Sequence, residues 1–291
     1  MRSAGSIIRP LAALLLLQAA RAVADGPIVT GLASVLWEDN ATNAPAGDGV
    51  LGAFTVGAAA DAKWIHSIDF STLVSLDLSA TAGENTRFSG LDSLSVCPQL
   101  ALWHRLGVGA YAPSLSVGIG GSLCGYRESE RSKAEADFSI GYSQRFTDSL
   151  QLLLDGQLGS YDARDIVFCG NFASLSATLN WDIDEDWRVK LMGGWRAGDV
   201  VSGYTAQESP EGWIPVDSGA FANPGAWHYV PTFGTPYVDW RVEARTLYGG
   251  IGVAPALGAH TSLVLQVVRY STRAYDLYVN DVVSASIVHH F

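Results

Sequence analysis

Apolar and polar residues alternate along most of the chain from about residue 28, with the period of two that is typical of β-strands. In residues 68–80 the even positions are mainly Ile, Phe, Val and Leu, whereas the odd positions are mainly Asp and Ser. Residues 172–182 set Ala, Leu and Trp against Ser, Thr, Asn and Asp in the same way. A strand with one apolar and one polar face is therefore the repeated unit of this sequence.

Twelve such segments are predicted, with a turn or loop between each pair. They cover residues 27–37, 49–60, 67–80, 90–104, 111–123, 133–146, 149–160, 172–182, 186–197, 237–252, 261–271 and 281–291. The connections after even-numbered segments are short, and those after odd-numbered segments are longer and more polar. This alternation predicts antiparallel hairpins with short turns at one end and long loops at the other.

The amino-acid composition indicates the environment of the apolar faces of the strands. Hydrophobic residues make up 48% of the chain and charged residues 16%, whereas soluble domains carry about 25% charged residues. No run after the N-terminal segment approaches the ~20 apolar residues of a membrane helix. The fold predicted is therefore a closed, antiparallel, up-and-down transmembrane β-barrel, because an open sheet edge in lipid would leave backbone groups unpaired. A secreted soluble β-sandwich is the alternative.

Residues 1–24 have the pattern of a secretory signal peptide. Arg2 and Arg9 form a basic start, residues 11–20 form an apolar core, and residues 22–24 provide small residues at a cleavage site. A short N-terminal anchor helix is the alternative. The barrel domain is expected to span residues 25–291, with one long extracellular loop at 197–236.

Charge and cysteine content exclude several classes of function. The formal net charge of −11 argues against a nucleic-acid partner and against a polybasic membrane-surface binder. The three cysteines, Cys97, Cys124 and Cys169, have no metal-binding spacing, and no metal or cofactor is predicted. A disulfide between Cys124 and Cys169 is an option in an oxidising compartment.

The last segment carries the most specific local pattern. Val283, Ala285, Ile287, His289 and Phe291 lie on one face of it, and Phe291 is the final residue. This pattern resembles the C-terminal strand by which the assembly machinery recognises bacterial outer-membrane barrels, although His289 departs from the usual aromatic or aliphatic residue.

Across residues 25–291 the architecture is similar to that of outer-membrane barrel proteins of the porin type, with no subfamily identified. The resemblance implies a Gram-negative outer-membrane location, a role in transport and an assembly-signal role for Phe291. The expected partners are outer-membrane lipids, the barrel-assembly machinery and small polar solutes.

The polar faces supply candidates for lumen and selectivity residues. Acidic candidates lie on segments three, six and seven, and mostly basic candidates lie on segments nine and ten, with segment nine opposite segment three in a ring of twelve. The candidates are Asp69, Asp77, Glu135, Asp137, Asp155, Arg188, Lys190, Arg196, Asp239, Arg241, Glu243 and Arg245. Opposed charges would create a field across a water-filled pore and select solutes. Alternatively, charged pairs between neighbouring strands would simply fill a narrow lumen.

The loop 197–236 is the candidate plug or gate. It contains five prolines and several aromatic residues, of which Trp213 and Trp227 are the gate candidates. Loops of this length in a compact barrel are usually functional or folded inward. A packed external cap is the alternative interpretation.

The function predicted is porin-like passage or binding of small hydrophilic solutes. A non-conducting barrel that acts through its loops is the first alternative, and an outer-membrane hydrolase is the second. For the hydrolase, His228 with Asp217 and the turn His260-Thr261-Ser262 are the candidate groups. No nucleophile, base and orienting group can be shown to converge, so no catalytic residue is assigned and an enzyme is not expected.

Overall fold

The computed structural model describes residues 27–44, 49–209, 212–215, 227–229, 231–233, 237–274 and 276–291, without the side chains of 204–209, 212–215, 227–229 and 231. The strands are β1 (Ile28–Glu38), β2 (Ala53–Ser67), β3 (Thr72–Asn85), β4 (Ser93–Arg105), β5 (Ser114–Tyr126), β6 (Lys133–Arg145), β7 (Leu150–Ala163), β8 (Gly170–Asp182), β9 (Trp187–Ser209), β10 (Gly212–Pro215), β11 (Trp227–Tyr229), β12 (Tyr237–Gly258), β13 (Thr261–Arg273) and β14 (Leu277–His290). Short 3-10 helices occupy Ser89–Leu91, Ser129–Arg131, Ile166–Phe168 and Pro231–Phe233. Within these ranges no helix is long and apolar enough to cross a membrane.

Twelve of these strands close into a ring. Each strand from β1 to β9 pairs antiparallel with the next, β9 then pairs with β12, and β12, β13 and β14 follow in order. The ring closes where β14 pairs with β1, from Thr30 opposite His290 to Glu38 opposite Val282. The prediction of a closed antiparallel barrel with twelve strands is confirmed.

The outer wall of the ring is apolar because every second side chain on each strand points away from the lumen. Leu102 on β4, Ile119 on β5, Ile140 on β6 and Leu175 on β8 are exposed in this way. An exposed apolar band of this kind is what lipid requires and water disfavours. The structure is that of a transmembrane barrel, with a short-turn end and a long-loop end.

The strand limits differ from the prediction mainly at β2, β9 and β12. The turn predicted after residue 60 was wrong, because β2 continues to Ser67. β9 continues to Ser209 and pairs with β12 from Thr205 opposite Tyr237, so the hairpin extends well beyond the neighbouring strands, and β12 continues past residue 252 to Gly258. All three cysteines are free, so the disulfide considered between Cys124 and Cys169 is absent from the structure.

Candidate functional site

The lumen contains a polar cavity along the wall formed by β2 to β7. Its volume is about 400 Å³. The lining side chains include two amides, one thiol, one indole, one amine and three carboxylates, namely Gln99, Gln157, Cys97, Trp103, Lys63, Asp61, Asp77 and Asp137. We call this surface the acidic wall.

A hydrogen-bonded network organises the centre of the acidic wall. The Lys63 amine donates to the Asp77 carboxylate, with Nζ–O distances of 3.1 and 3.3 Å. The buried Ser75 hydroxyl donates to the same carboxylate at 3.1 Å, and the Trp103 indole donates to Ser75 at 3.3 Å. Trp103 therefore faces inward, and Asp77 is neutralised locally by Lys63.

The other inward acids of β2 to β7, within the acidic wall and beside it, are less compensated. Asp137 lies opposite Gly120 on β5, and a Cβ on Gly120 would lie 2.6 Å from a carboxylate oxygen of Asp137. The glycine thus leaves room for the carboxylate against the wall. Within the described residues neither Asp137 nor Asp155 has an ion pair, whereas Glu135 has Lys133 at 3.5 Å. The wall carries an excess of negative charge.

The inward bases lie on β9, which is opposite β3 in the ring. Leu191 and Trp195 of β9 are exposed on the outer wall, so Arg188, Lys190 and Arg196 take the inward face. Arg188 bonds Asp182 at 2.5 Å beside the short-turn end. Arg196 lies farther along the strand, with its guanidinium 4.2 Å from the Phe172 ring centroid. The bases are therefore spread along the bore.

One predicted lumen acid lies outside the lumen. Asp69 is in the exposed turn between β2 and β3, at the short-turn end. Its carboxylate accepts hydrogen bonds from the amides of Ser71 and Thr72 and from the Ser71 hydroxyl. These bonds stabilise the turn, and the assignment of Asp69 to the lumen was wrong.

The four charged candidates on β12 do not face the lumen either. Glu243 and Arg245 are exposed on the same side of β12 as Leu247. Asp239 and Arg241 are held by loop groups at the long-loop end. The side chains that take the inner face there are apolar and buried: Val238, Trp240, Val242 and Ala244. Asp239 is buried against Arg131, so this part of β12 packs on the loops and does not line the bore.

The long hairpin of β9 and β12 bends over the long-loop end of the barrel. β9 leaves β8 after the pair Phe172–Gly198, and Gly198 has a φ of 136°, which favours glycine. Beyond that point the hairpin reaches the loop after β1, where the Gly203 amide donates to the Thr42 carbonyl at 2.9 Å. The Ser202 hydroxyl also donates to the Asn43 carbonyl at 2.7 Å. We call the described residues from 199 to 243 the cap.

An aromatic cluster attaches the cap to the loop after β3. The Phe233 ring packs edge-on against Phe88, with centroids 5.0 Å apart, and against Tyr237 at 5.9 Å. Phe88, Phe233, Tyr237 and Ala53 are all buried in this cluster. Thr232 also contacts Gly90 so closely that a Cβ on Gly90 would overlap the threonine side chain.

A charged cluster attaches the cap to the loops after β5 and β7. Arg131 pairs with Glu128 at 2.8 Å and with the buried Asp239 of the cap. Its guanidinium also lies 4.5 Å from the Phe168 ring centroid and 5.4 Å from that of Phe233. The cap is therefore packed against four separate loops. The side chains of the gate candidates Trp213 and Trp227 lie outside the described part of the structure.

Two charged residues of the acidic wall were missed by the sequence prediction. Asp61 and Lys63 fell in the predicted turn, yet both line the cavity. Their signal was present, because the alternation continues as Ala60, Asp61, Ala62, Lys63 and Trp64. Arg131 carried no comparable signal, since its partners come from distant loops.

The hydrolase candidates do not form a catalytic arrangement in the described residues. His260 and Ser262 lie at the short-turn end, and the hydroxyl of the intervening Thr261 shares a hydrogen bond with His289 Nδ1 at 2.9 Å. The side chains of His228 and Asp217 lie outside the described part. No group of three or more His, Cys, Asp or Glu residues that could hold a metal ion occurs in the ranges described.

Comparison with known proteins identifies similar folds. No protein-family model and no curated protein matches the chain. Among solved structures, an outer-membrane channel from Pseudomonas putida F1 has a TM-score of 0.55 at 11% identity, covering 91% of this chain and 96% of that one. A NanC porin scores 0.49 at 7% identity, covering 90% and 99%. The DcaP outer-membrane channel of Acinetobacter baumannii scores 0.43 at 9% identity, covering 90% and 96%. By its likeness to the first of these, the chain has the fold of a bacterial outer-membrane β-barrel.

Proposed function

We propose that the protein is a porin-like channel of the bacterial outer membrane that passes or binds small hydrophilic solutes, with cationic solutes favoured at the acidic wall. The observation that carries this proposal is the cavity of about 400 Å³ lined by Asp61, Asp77 and Asp137. Asp61 and Asp137 have no ion pair among the described residues, and carboxylates of this kind are costly to bury away from water. A hydrated lumen accommodates them, and their excess charge attracts cations.

The arrangement of bases opposite β3 adds a second element of selectivity. Arg188, Lys190 and Arg196 of β9 contribute positive charge across the bore from Asp77. A zwitterionic or dipolar solute would orient between the two walls, whereas a simple anion would meet the acidic excess. The rings of charge in channels act in this way on permeating solutes.

Planar-bilayer recordings of the refolded protein test the proposal. We expect discrete conductance steps and, under a salt gradient, a reversal potential that indicates cation preference. The control is the same preparation after heat denaturation. If correctly folded protein gives no conductance step, even after removal of the cap, the channel proposal is wrong.

The cap favours a second candidate, a non-conducting barrel that acts through its loops. Its contacts with four loops close much of the long-loop end. Residues 206–236 can be replaced by a two-residue Asn-Gly turn, because Thr205 and Tyr237 are paired. Under the channel proposal the shortened protein conducts with larger or more frequent steps. A barrel that stays silent with and without residues 206–236 supports the loop-acting alternative.

We also propose that Phe291 serves as an assembly signal. Its ring packs edge-on against His289, with centroids 4.7 Å apart, and its amide donates to the Val29 carbonyl at 3.1 Å. Phe291→Ala, with His289→Ala as the matched control, would then slow insertion by the assembly machinery. Unaided refolding into detergent would be far less affected.

A further inference from the structure

The inner faces of β13, β14 and β1 carry more apolar side chains than those of β5 and β8, which are mainly Ser, Gly and Thr. Val35, Leu265 and Val283 are exposed on the outer wall, so the even-numbered side chains of β13, β14 and β1 face the lumen. Among these are half-buried residues that we call the apolar lane: Leu32, Leu36, Val264, Val282 and Val288. Over the described ranges of the three strands, no Lys or Arg faces the lumen.

The apolar lane has a thermodynamic cost in a hydrated lumen, because apolar surface in contact with water is unfavourable in proportion to its area. Ser at these positions would maintain a strand equally well, as it does at Ser116 on β5 and Ser176 on β8. Each side chain of the lane nevertheless keeps part of its surface exposed. The lane is therefore suited to contact the apolar part of a solute.

The lane meets a carboxylate where β1 pairs with β2. Thr30 lies directly opposite Asp61, and the next inward residue, Leu32, lies directly opposite Ala59. Leu32 and Asp61 are therefore diagonal neighbours on one face, about 7–8 Å apart. On its other side Leu32 lies opposite Val288, with Cβ atoms about 5 Å apart. The junction thus places a carboxylate beside a pair of branched apolar side chains.

The charged groups around Asp61 leave its charge available. Lys63 lies two positions along β2, but its amine bonds Asp77. His290 lies on the far side of Thr30, whose hydroxyl shares a hydrogen bond with His290 Nδ1 at 3.1 Å. Asp61 itself is exposed and has no ion pair among the described residues. A cation in the lumen can therefore pair with it.

We propose that the solutes favoured by this channel are amphiphilic organic cations, in which a protonated amine is joined to an aromatic or alkyl group. The amine binds Asp61 by a charge-assisted hydrogen bond, and the apolar group packs on Leu32 and Val288. This class of solute presupposes the cation-preferring channel proposed above. An inorganic cation, or an amine that carries a hydroxyl group instead, interacts with the carboxylate alone.

Block of the potassium current by two matched amines tests the proposal. Phenethylammonium carries a phenyl group where ethanolammonium carries a hydroxyl group. In planar bilayers, the measured quantity is the concentration of each amine that halves the current. Phenethylammonium is expected to act at a concentration about tenfold lower, because packing of its phenyl group on the lane strengthens binding.

Variants of the junction assign this difference to its two parts. Leu32→Ser/Val288→Ser is expected to remove most of the difference and to change the ethanolammonium value little. Asp61→Asn is expected to weaken block by both amines. Leu153→Ser is the matched control and should keep the tenfold difference, because Leu153 faces the lumen from β7, away from the lane. The heat-modifiable band on gels verifies that each variant forms a barrel.

The outcomes separate this inference from the channel proposal. Equal block by the two amines in the unmodified protein, with normal potassium steps and cation preference, would overturn the inference and leave the channel proposal intact. An unchanged difference in folded Leu32→Ser/Val288→Ser would also overturn it.

Absence of potassium steps would reject the channel proposal instead. Equilibrium dialysis of both amines against the protein in detergent would then decide whether the junction binds amphiphilic cations. Better retention of phenethylammonium, lost in Leu32→Ser/Val288→Ser, would support the binding site, and equal retention of the two amines would overturn it.

Discussion

At the scale of single residues, the carboxylates of the acidic wall differ in what surrounds them. Asp77 accepts hydrogen bonds from Lys63 and Ser75, so part of its charge is neutralised within the wall. Asp137 lies against Gly120 and has no ion pair among the described residues. Asp61 and Asp155 likewise have no ion pair in that part of the chain, so Asp61, Asp137 and Asp155 are the groups whose charge remains available to a solute in the lumen.

Removing these two charges should reduce cation preference. We expect Asp137→Asn/Asp155→Asn to move the reversal potential in a salt gradient toward zero, because the lumen then loses two of its carboxylates that have no ion pair. Glu243→Gln is the matched control, since Glu243 is exposed on the outer side of β12. An unchanged reversal potential in the double variant would remove the acidic wall from the selectivity mechanism.

Asp69 should make the stability of the turn between β2 and β3 depend on pH. Hydrogen bonds from the hydroxyl and amide of Ser71 and the amide of Thr72 hold the pKa of Asp69 below its usual value. Because this pKa is lowered in the folded state, the ionised form stabilises the turn above the unfolded pKa of about 3.9. That contribution is lost as pH falls through the folded value.

Thermal unfolding across pH measures this effect. Asp69→Asn is expected to be less stable than the unmodified protein near neutral pH, and the difference should disappear below the folded pKa of Asp69. The control is Asp276→Asn, at an exposed position. A difference that persists unchanged in acid would show that the turn does not depend on the ionised carboxylate.

The sequence correctly predicts which side chains face the lumen where the strand lies within lipid. Asp77, Asp137 and Arg188 take the polar face that the alternation indicated. Asp239 and Glu243 do not, because alternation shows which residues share a face and not which face is inner. That assignment requires knowing whether lipid or water lies outside. The partners of Arg131 come from loops with no periodic pattern, and so could not be predicted.

At the scale of elements, the hairpin of β9 and β12 combines two roles. Its lower half belongs to the barrel wall, and its upper half forms the cap. The change occurs at Gly198, where β9 leaves β8. Of the loop predicted at 197–236, residues 197–209 continue β9 as strand, because Ser, Gly, Tyr and Thr alternate too weakly to be distinguished from loop.

The close contact at Gly90 provides a way to displace the cap. A valine there would overlap Thr232, so Gly90→Val is expected to push the cap from the loop after β3. In bilayer recordings this should raise the open fraction or the conductance. Gly125→Val is the matched control at the same end, since a Cβ there has only the Leu94 carbonyl oxygen within 4 Å, at 3.9 Å. Identical recordings for the two variants would show that the cap does not limit passage.

At the scale of the whole molecule, closure between β1 and β14 determines the stability of the barrel. Every edge in lipid must be paired, and β1 satisfies this by pairing with β2 and β14 at once. The count of twelve and the direction of every strand were predictable from alternation and turn lengths. The lumen width was not, because it depends on strand tilt and stagger that one sequence does not encode in a visible pattern.

A proline in the closing strand should prevent the barrel from forming. Val35 pairs with Val56 on β2 and Ala285 on β14, and proline there removes an amide donor from the ladder. Val35→Pro is expected to lose the SDS-resistant, fast-migrating form on unheated gels. Glu185→Pro is the control, because it follows Asp184 in a turn where proline is favoured. Retention of the folded band in Val35→Pro would contradict the importance of this seam.

The free thiol of Cys97 has a practical consequence. It lines the lumen cavity beside Asp77 and Gln99, so a charged methanethiosulfonate reagent that reaches it would attach a bulky ion inside the bore. The rate of labelling, measured separately with reagent added from each side of a bilayer, would then report which mouth admits molecules of that size. Because Cys124 and Cys169 are also free, comparing Cys97→Ala, Cys124→Ala and Cys169→Ala would assign the blocked current to one sulfur.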